Sequence, residues 1–178
     1  IGPPIDTGFY YDFRLSRPLV QEDLGWLEER MRKSIKGKHP FVMGLLTKTE
    51  AEERWANQPF KLDLLKDLEE GNVTQCTHAG FTDLCRGGHT ESTGQIGAFT
   101  LTHVAGAYWR GDEKNPMLQR VYGALFPTQQ ELDDYLKMRE EAEKRDHRRL
   151  GRELDLFHID PIAPGSPFWH PKGTILYN

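Results

Sequence analysis

The residues best suited to chemistry lie close together in the sequence: Cys76, His78, Asp83, Cys85 and His89. Asp83-Leu84-Cys85 reads as the end of a strand, and residues two apart on a strand share a face. Gly87 and Gly88 then allow a tight turn that can bring His89 back towards Cys85. A thiol, an imidazole and a carboxylate around one turn can position water, transfer protons or bind a metal. Each of these residues also has a plainer use. A cysteine near a strand end is usually a small core residue, a single histidine is usually just hydrogen-bonded, and Cys-x-x-x-His is half of a zinc site at best. Arg110 and Asp112, in Trp109-Arg110-Gly111-Asp112, read as a surface turn held by an ion pair. Lys144, Arg145, Arg148, Arg149 and Arg152 place five positive charges around Asp146. Such a run is either a solvated helix face or a contact for RNA phosphates. The sequence contains no Gly-rich phosphate loop, no Gly-x-Ser-x-Gly elbow and no His-Glu-x-x-His.

These residues need a scaffold, and the apolar pattern supplies one. Phe9, Tyr10, Tyr11 and Phe13 follow a Gly/Pro turn and suit a short strand. Leu24, Leu27, Met31 and Ile35 fall on one helical face, with Gly37 as a stop. Thr47 and Glu50 have the spacing of a capping box, which predicts a helix over 48–57. Another is predicted from Lys61 to Glu70 through Leu62, Leu65 and Leu68. Between Val73 and Phe126 helical periodicity gives way to Gly, Thr and aromatic residues. The expected strands are 72–78, 80–84, 98–108 and 118–126, in an antiparallel sheet packed against helices, an α+β fold. Thr128 and Glu131 form a second capping box and open a long helix from about 129 to 150. Its second half is polar on every face, as in helices that bridge domains. The expected divisions are 1–127, a linker helix within 128–152, and a further segment, 153–178, ending in an apolar run with strand character.

Composition sets the bounds. A chain of 178 residues with 37% hydrophobic and 28% charged residues is a globular domain and a little more. No stretch approaches the roughly 20 apolar residues of a membrane span. No signal-peptide pattern opens the sequence, and two cysteines are too few for a disulfide scaffold. The expectation is free thiols, a reducing cytosol and no membrane partner. A net charge of −4 argues against nonspecific coating of nucleic acid. The ends, Ile1-Gly2-Pro3-Pro4 and Leu176-Tyr177-Asn178, suggest a fragment of a longer protein.

Beyond these patterns the sequence resembles a known family in collinear order. Gly8-Phe9-Tyr10-Tyr11-Asp12, Asp83-Leu84-Cys85-Arg86-Gly87 with His89, Val104 to Asp112, and Met117 to Gly123 resemble the editing domain of bacterial-type threonyl-tRNA synthetases. Lys144 to Gly151 resembles that family's linker helix, and Pro164-Gly165 with Phe168-Trp169-His170-Pro171-Lys172-Gly173 the opening of its class II aminoacylation domain. The resemblance implies the fold shared by threonyl and alanyl editing domains over 1–127 and a truncated aminoacylation domain over 153–178. It implies hydrolysis of serine wrongly attached to tRNA(Thr). Serine lacks only a methyl of threonine, and such a difference discriminates by only about 1–3 kcal/mol. Carried over by motif, Lys61, Cys85 and His89 are the catalytic candidates. Tyr11 and Asp83 are the substrate-binding candidates, and Lys144, Arg145, Arg148 and Arg149 the candidates for tRNA contact. The implied partners are tRNA(Thr), threonine and serine, with the whole enzyme a homodimer. ATP, magnesium and a catalytic-domain zinc are implied for that whole enzyme, and no metal for this segment.

The sequence departs from the family in three ways. A His-x-x-x-His helix of the family's pocket lies upstream of Ile1, Gly88 stands where the family usually has proline, and the ATP-binding motifs would lie beyond Asn178. On this reading the segment alone aminoacylates nothing and hydrolyses seryl-tRNA poorly. Two alternatives come from other classes: a structural zinc module of Cys76, His78, Cys85 and His89, and a non-catalytic tRNA-binding piece. The expectation is that Lys61, Asp83, Cys85 and His89 converge on one open cleft with Tyr11 at its edge.

Overall fold

In the computed structural model, residues 2–69 and 71–177 are described, apart from the Tyr177 side chain. They form two compact units, 1–127 and 128–178, each with its own antiparallel pairing.

The first unit contains two sheets rather than one. Strands β1 (Pro4–Ile5), β2 (Gly8–Phe13), β6 (Ala98–Tyr108) and β7 (Met117–Phe126) pair antiparallel in the order β1-β2-β7-β6. Helix α1 (Asp23–Lys36) buries Leu24 against Leu101 and Val121, with Leu27 and Met31 alongside. That is the face the 3-4-4 spacing predicts. The β6–β7 register shifts between Leu101 and His103. At this bulge Glu28 of α1 accepts from the Leu101 amide and the Thr100 hydroxyl, both at 2.6 Å, so the interrupted ladder keeps its hydrogen bonds.

Strands β3 (Val42–Thr47), β4 (Asn72–His78) and β5 (Phe81–Leu84) form the second sheet in sequence order. Helices α2 (Lys48–Arg54) and α3 (Pro59–Lys66) close its core through Ala51, Trp55, Leu65 and Val73. Thr47 and Glu50 make both halves of the capping box, which fixes where β3 ends and α2 begins. Helix α3 starts earlier than the sequence predicts, because Pro59 takes a first-turn position where its missing N–H costs nothing. Helix α3 also ends earlier, at Lys66 with Asp67 as its C-cap, rather than running on to Glu70, which lies outside the described residues. Strand β3 is not legible from sequence. Gly44 interrupts its apolar run, and Val42, Met43 and Leu45 are all exposed, so no two-residue alternation marks it.

The β4–β5 hairpin turns through Ala79 and Gly80, with φ of 47° and 80°. Two successive positive φ values define the tight two-residue turn whose twist matches the flanking strands. This turn sets the register that pairs Cys76 with Asp83 and Gln75 with Leu84.

The second unit corrects two sequence readings. The expected long helix is two helices, α4 (Gln129–Lys144) and α5 (His147–Glu153). Asp146 separates them: its carboxylate accepts from the amides of Arg148, at 2.8 Å, and Arg149, at 3.4 Å. An aspartate capping a new helix competes with continuation of the old one. After a hairpin of β8 (Phe157–Ile159) and β9 (Pro167–Trp169), the terminal apolar run is not a strand but helix α6 (Pro171–Tyr177), opened by Pro171 in its first turn.

Leu65 is fully buried and anchors α3 to its sheet. Leu65→Ala should therefore lower unfolding free energy by about 2–5 kcal/mol, while Met117→Ala, at a side chain 61% exposed, should stay within about 0.5 kcal/mol. Urea denaturation checks both; equal shifts would show that α3 is not packed as described.

Candidate functional site

The site is assembled at β5. Asp83 lies one residue from the end of this four-residue strand and joins three elements. Its Oδ1 pairs with Lys61 Nζ of α3 at 2.6 Å. Its Oδ2 accepts from the Tyr11 hydroxyl of β2 at 2.5 Å. Helix, second sheet and first sheet therefore meet at a single carboxylate. Lys61 is only 7% exposed. A buried ammonium needs a partner, since leaving one unpaired in the interior costs several kcal/mol; Asp83 is that partner, and the Trp55 ring lies 5.6 Å from the nitrogen. Burial first, and then the hydrogen bond and charge of Asp83, push the Tyr11 phenol well above its ordinary pKa.

Two residues further along the chain, Cys85 is fixed by its backbone: its amide donates to Thr74 O at 3.1 Å, and the Thr74 hydroxyl bonds back to Cys85 O. Gly87 and Gly88, with φ of 94° and 82°, turn the chain. His89 then returns so that its Nε2 lies 2.7 Å from Cys85 Sγ, and the Gly87 amide donates to the same sulfur at 3.1 Å. A proline, locked near φ −65°, could not take the conformation of Gly88 here. The imidazole of His89 is stacked on Phe41, with centroids 4.9 Å apart and an interplanar angle of 14°. Phe41 also touches His78, at 5.0 Å. Burial, and then the charges of His39 and His89, lower the pKa of His78 and favour its neutral form.

The site residues expected from sequence thus fall into two adjoining groups, Tyr11–Lys61–Asp83 and Cys85–His89. Among the described residues no hydrogen bond links the groups; the short stretch from Asp83 to Cys85 does. A cleft of about 970 Å³ opens on Tyr11 and Lys61, walled by Phe60, Phe81, Thr82 and Trp109. Asp83, Cys85 and His89 do not line it, so the single shared cleft expected from sequence is not what this structure shows. Cys76 is buried, and burial followed by the neighbouring Cys85 raises its pKa, which suits a core thiol.

The basic residues of the second unit are mostly paired locally: Lys144 with Glu140 at 2.8 Å, Arg145 with Glu141 at 3.6 Å and Arg149 with Glu153 at 2.7 Å. The described residues include no group of three or more His, Cys, Asp or Glu placed to hold a metal ion. Cys76, His78, Cys85 and His89 are therefore not placed as one zinc donor set.

The turn at Arg110 is not held by the ion pair expected from sequence. Arg110 does not pair with Asp112, which instead accepts from the Lys114 amide at 2.9 Å. Arg110 reaches Asp63, at 2.9 Å, and Asp67, at 2.6 Å. Its partners are more than forty positions away in the sequence, and no local spacing announces them.

The stretch from β4 into β7, which includes the cysteine–histidine turn, matches a known family. The family described as threonyl and alanyl tRNA synthetase second additional domain matches residues 73–122. Similarity extends well beyond that domain. Threonine–tRNA ligase of Caldanaerobacter subterraneus subsp. tengcongensis is 51% identical over 100% of this chain and 28% of its own length. That of Dehalococcoides mccartyi strain BAV1 is 51% identical over 99% of this chain and 30% of its own length. That of Acetivibrio thermocellus is 52% identical, covering 100% and 28% respectively. The chain is thus similar over essentially its whole length to part of these threonine–tRNA ligases, and spans under a third of their length. No described helix is long and apolar enough to cross a membrane.

The Tyr11 environment gives a direct check. An ordinary phenol, with a pKa of about 10, is mostly ionised at about pH 11. Because the folded pKa of Tyr11 is raised, its contribution to stability is complete below about pH 10 and is lost as pH rises through the folded value. In ¹³C-tyrosine NMR, one ring signal should remain un-ionised at that pH. Asp83→Asn should bring it part of the way back, because burial remains. All tyrosine signals titrating together would contradict the geometry.

Proposed function

We propose that the first unit is an editing domain that hydrolyses serine from mischarged tRNA(Thr), within a protein that attaches threonine to tRNA using ATP. The observation that carries this reading is the pairing of a buried cation, Lys61 on Asp83 at 2.6 Å, with an imidazole–thiol couple that begins two residues further along the chain. Both lie in a chain similar over its whole length to threonine–tRNA ligases.

Ester hydrolysis needs an activated water and a counter-charge for the oxyanion. In this reading Cys85 holds His89 Nε2, leaving Nδ1 to orient the water and take its proton. The water oxygen attacks the seryl carbonyl carbon, and a Lys61 ammonium hydrogen not used on Asp83 stabilises the oxyanion. Collapse breaks the ester C–O bond, and the ribose hydroxyl leaves with the proton that His89 returns. Asp83 and Tyr11 bind the seryl-adenosine end. Arg148, with Lys144, Arg145 and Arg149, is the proposed contact for tRNA phosphates in the second unit. The wider assignments are a cytoplasmic homodimer, with ATP, magnesium and zinc used outside this segment. They follow from the same resemblance.

Two measurements test the proposal. In a full-length protein carrying these residues, His89→Ala and Lys61→Ala should each slow deacylation of seryl-tRNA(Thr) by about 10²-fold or more and leave threonylation rates unchanged. Unaltered deacylation in both variants would remove the catalytic assignment. The 178-residue chain alone should hydrolyse the same substrate far more slowly than the full-length protein, because a displacement of about 1 Å in a water-holding group can cost about 10²-fold. Equal rates would show that the groups within this chain suffice.

A further inference from the structure

Lys61 lies on a helix that has little intrinsic reason to hold still. Helix α3 has eight residues, and its N-cap Gln58 makes no side-chain capping bond. Helices this short are marginal without tertiary support. Leu62 and Leu65 bind one side of α3 to the core of the second sheet. Its other side is gripped by the turn after β6. The Trp109 indole N–H donates to Asp63 Oδ2 at 2.9 Å, and the Trp109 ring packs against Phe60 at 5.0 Å. Arg110 donates through Nε to the same carboxylate oxygen at 2.9 Å. Through Nη2 it reaches the Asp63 carbonyl at 3.1 Å and Asp67 Oδ2 at 2.6 Å.

That carbonyl belongs to the last turn of α3, where four acceptors lack helical partners and a cation complements the helix dipole. Arg110 takes this position only because its own backbone is left-handed, with φ of 55°. A non-glycine residue holds that conformation when its surroundings repay the strain. The hydrogen bond from Trp109, and then the charge of Arg110, keep Asp63 below the usual carboxylate range and therefore ionised. Asp63 sits two positions after Lys61, so whatever fixes the rotation of α3 at Asp63 also fixes the direction in which Lys61 leaves the helix.

We propose that Arg110 is a positioning residue: by clamping Asp63 and Asp67 it sets the rotation of α3 and so holds the Lys61 ammonium on Asp83. The clamp is a geometric claim about this chain. Its effect on catalysis rests on the editing reading above.

The test reads Lys61 directly. The purified 178-residue chain is treated briefly with an acetylating reagent, and acetylation at each lysine is followed by peptide mass spectrometry. Buried and paired, Lys61 should react slowly. Arg110→Ala should raise its rate at least tenfold and leave Lys33 and Lys144 unchanged. Arg110→Lys should restore protection only partly, because an ammonium cannot span two carboxylates as a guanidinium fork does. Asp67→Asn removes one arm of the clamp without leaving a buried charge, and should give an intermediate rate even if Arg110→Ala folds poorly. Unchanged Lys61 acetylation in Arg110→Ala and Asp67→Asn, with only the unfolding midpoint lowered, would overturn the proposal. In the full-length protein Arg110→Ala should lower kcat for deacylation with KM nearly unchanged. Raised Lys61 reactivity with unaltered deacylation would uphold the clamp and count against Lys61 as a catalytic group.

Discussion

A lysine buried to 7% exposure is the constraint on which the rest of this unit depends. An ammonium in that position must be paired, and a pair buried between separate elements holds them together only while both ends stay in place. Asp83 meets the requirement from the end of β5, and Tyr11 takes the other carboxylate oxygen from a different sheet. Removing one partner of such a pair strands a charge and costs about 3–5 kcal/mol, more than the intact pair itself contributes. The local architecture reads as a means of delivering three side chains to one point. Leu65 and the Arg110 clamp hold the helix, the Ala79-Gly80 turn sets the strand register, and β7 carries the strand that bears Tyr11.

The same strand end continues into the cysteine–histidine turn, so two chemical groups share one support. Backbone bonds to Thr74 fix Cys85, and Phe41 fixes the plane of His89. Between these supports Gly87 and Gly88 hold positive φ. A turn of two glycines costs conformational entropy on ordering. The stack on Phe41 and the two bonds to the sulfur offset part of that cost. Among the described residues no buried side-chain nitrogen or oxygen lacks a hydrogen-bond partner, so this network of charges is satisfied throughout.

Much of this was legible in sequence where local physics decides. The capping boxes at Thr47 and Thr128 mark their helices, and the change to Gly, Thr and aromatic texture marks the strands. The Gly-Gly step brings His89 to Cys85 as the spacing suggests. Illegible features depend on partners distant in the chain. Strand β3 shows no polar–apolar alternation because its exposed positions Val42, Met43 and Leu45 are themselves apolar. The break at Asp146 turns on one carboxylate choosing to cap a new helix within a run that reads as continuous. The partners of Arg110 are set by how α3 docks. The division of the candidate residues into two adjoining groups, with only Tyr11 and Lys61 lining the cleft, depends on side-chain directions at β5. A two-residue periodicity does not specify these.

The most direct test of the account is a crystal structure of the full-length protein with a non-hydrolysable amide analogue of 3′-seryl-adenosine. The account predicts the analogue at the end of β5, with its carbonyl oxygen within hydrogen-bond distance of Lys61 Nζ, its seryl end against Asp83 and Tyr11, and His89 on the face from which water would attack. An analogue bound elsewhere, with the Lys61–Asp83 pair and the Cys85–His89 pair both untouched, would contradict it.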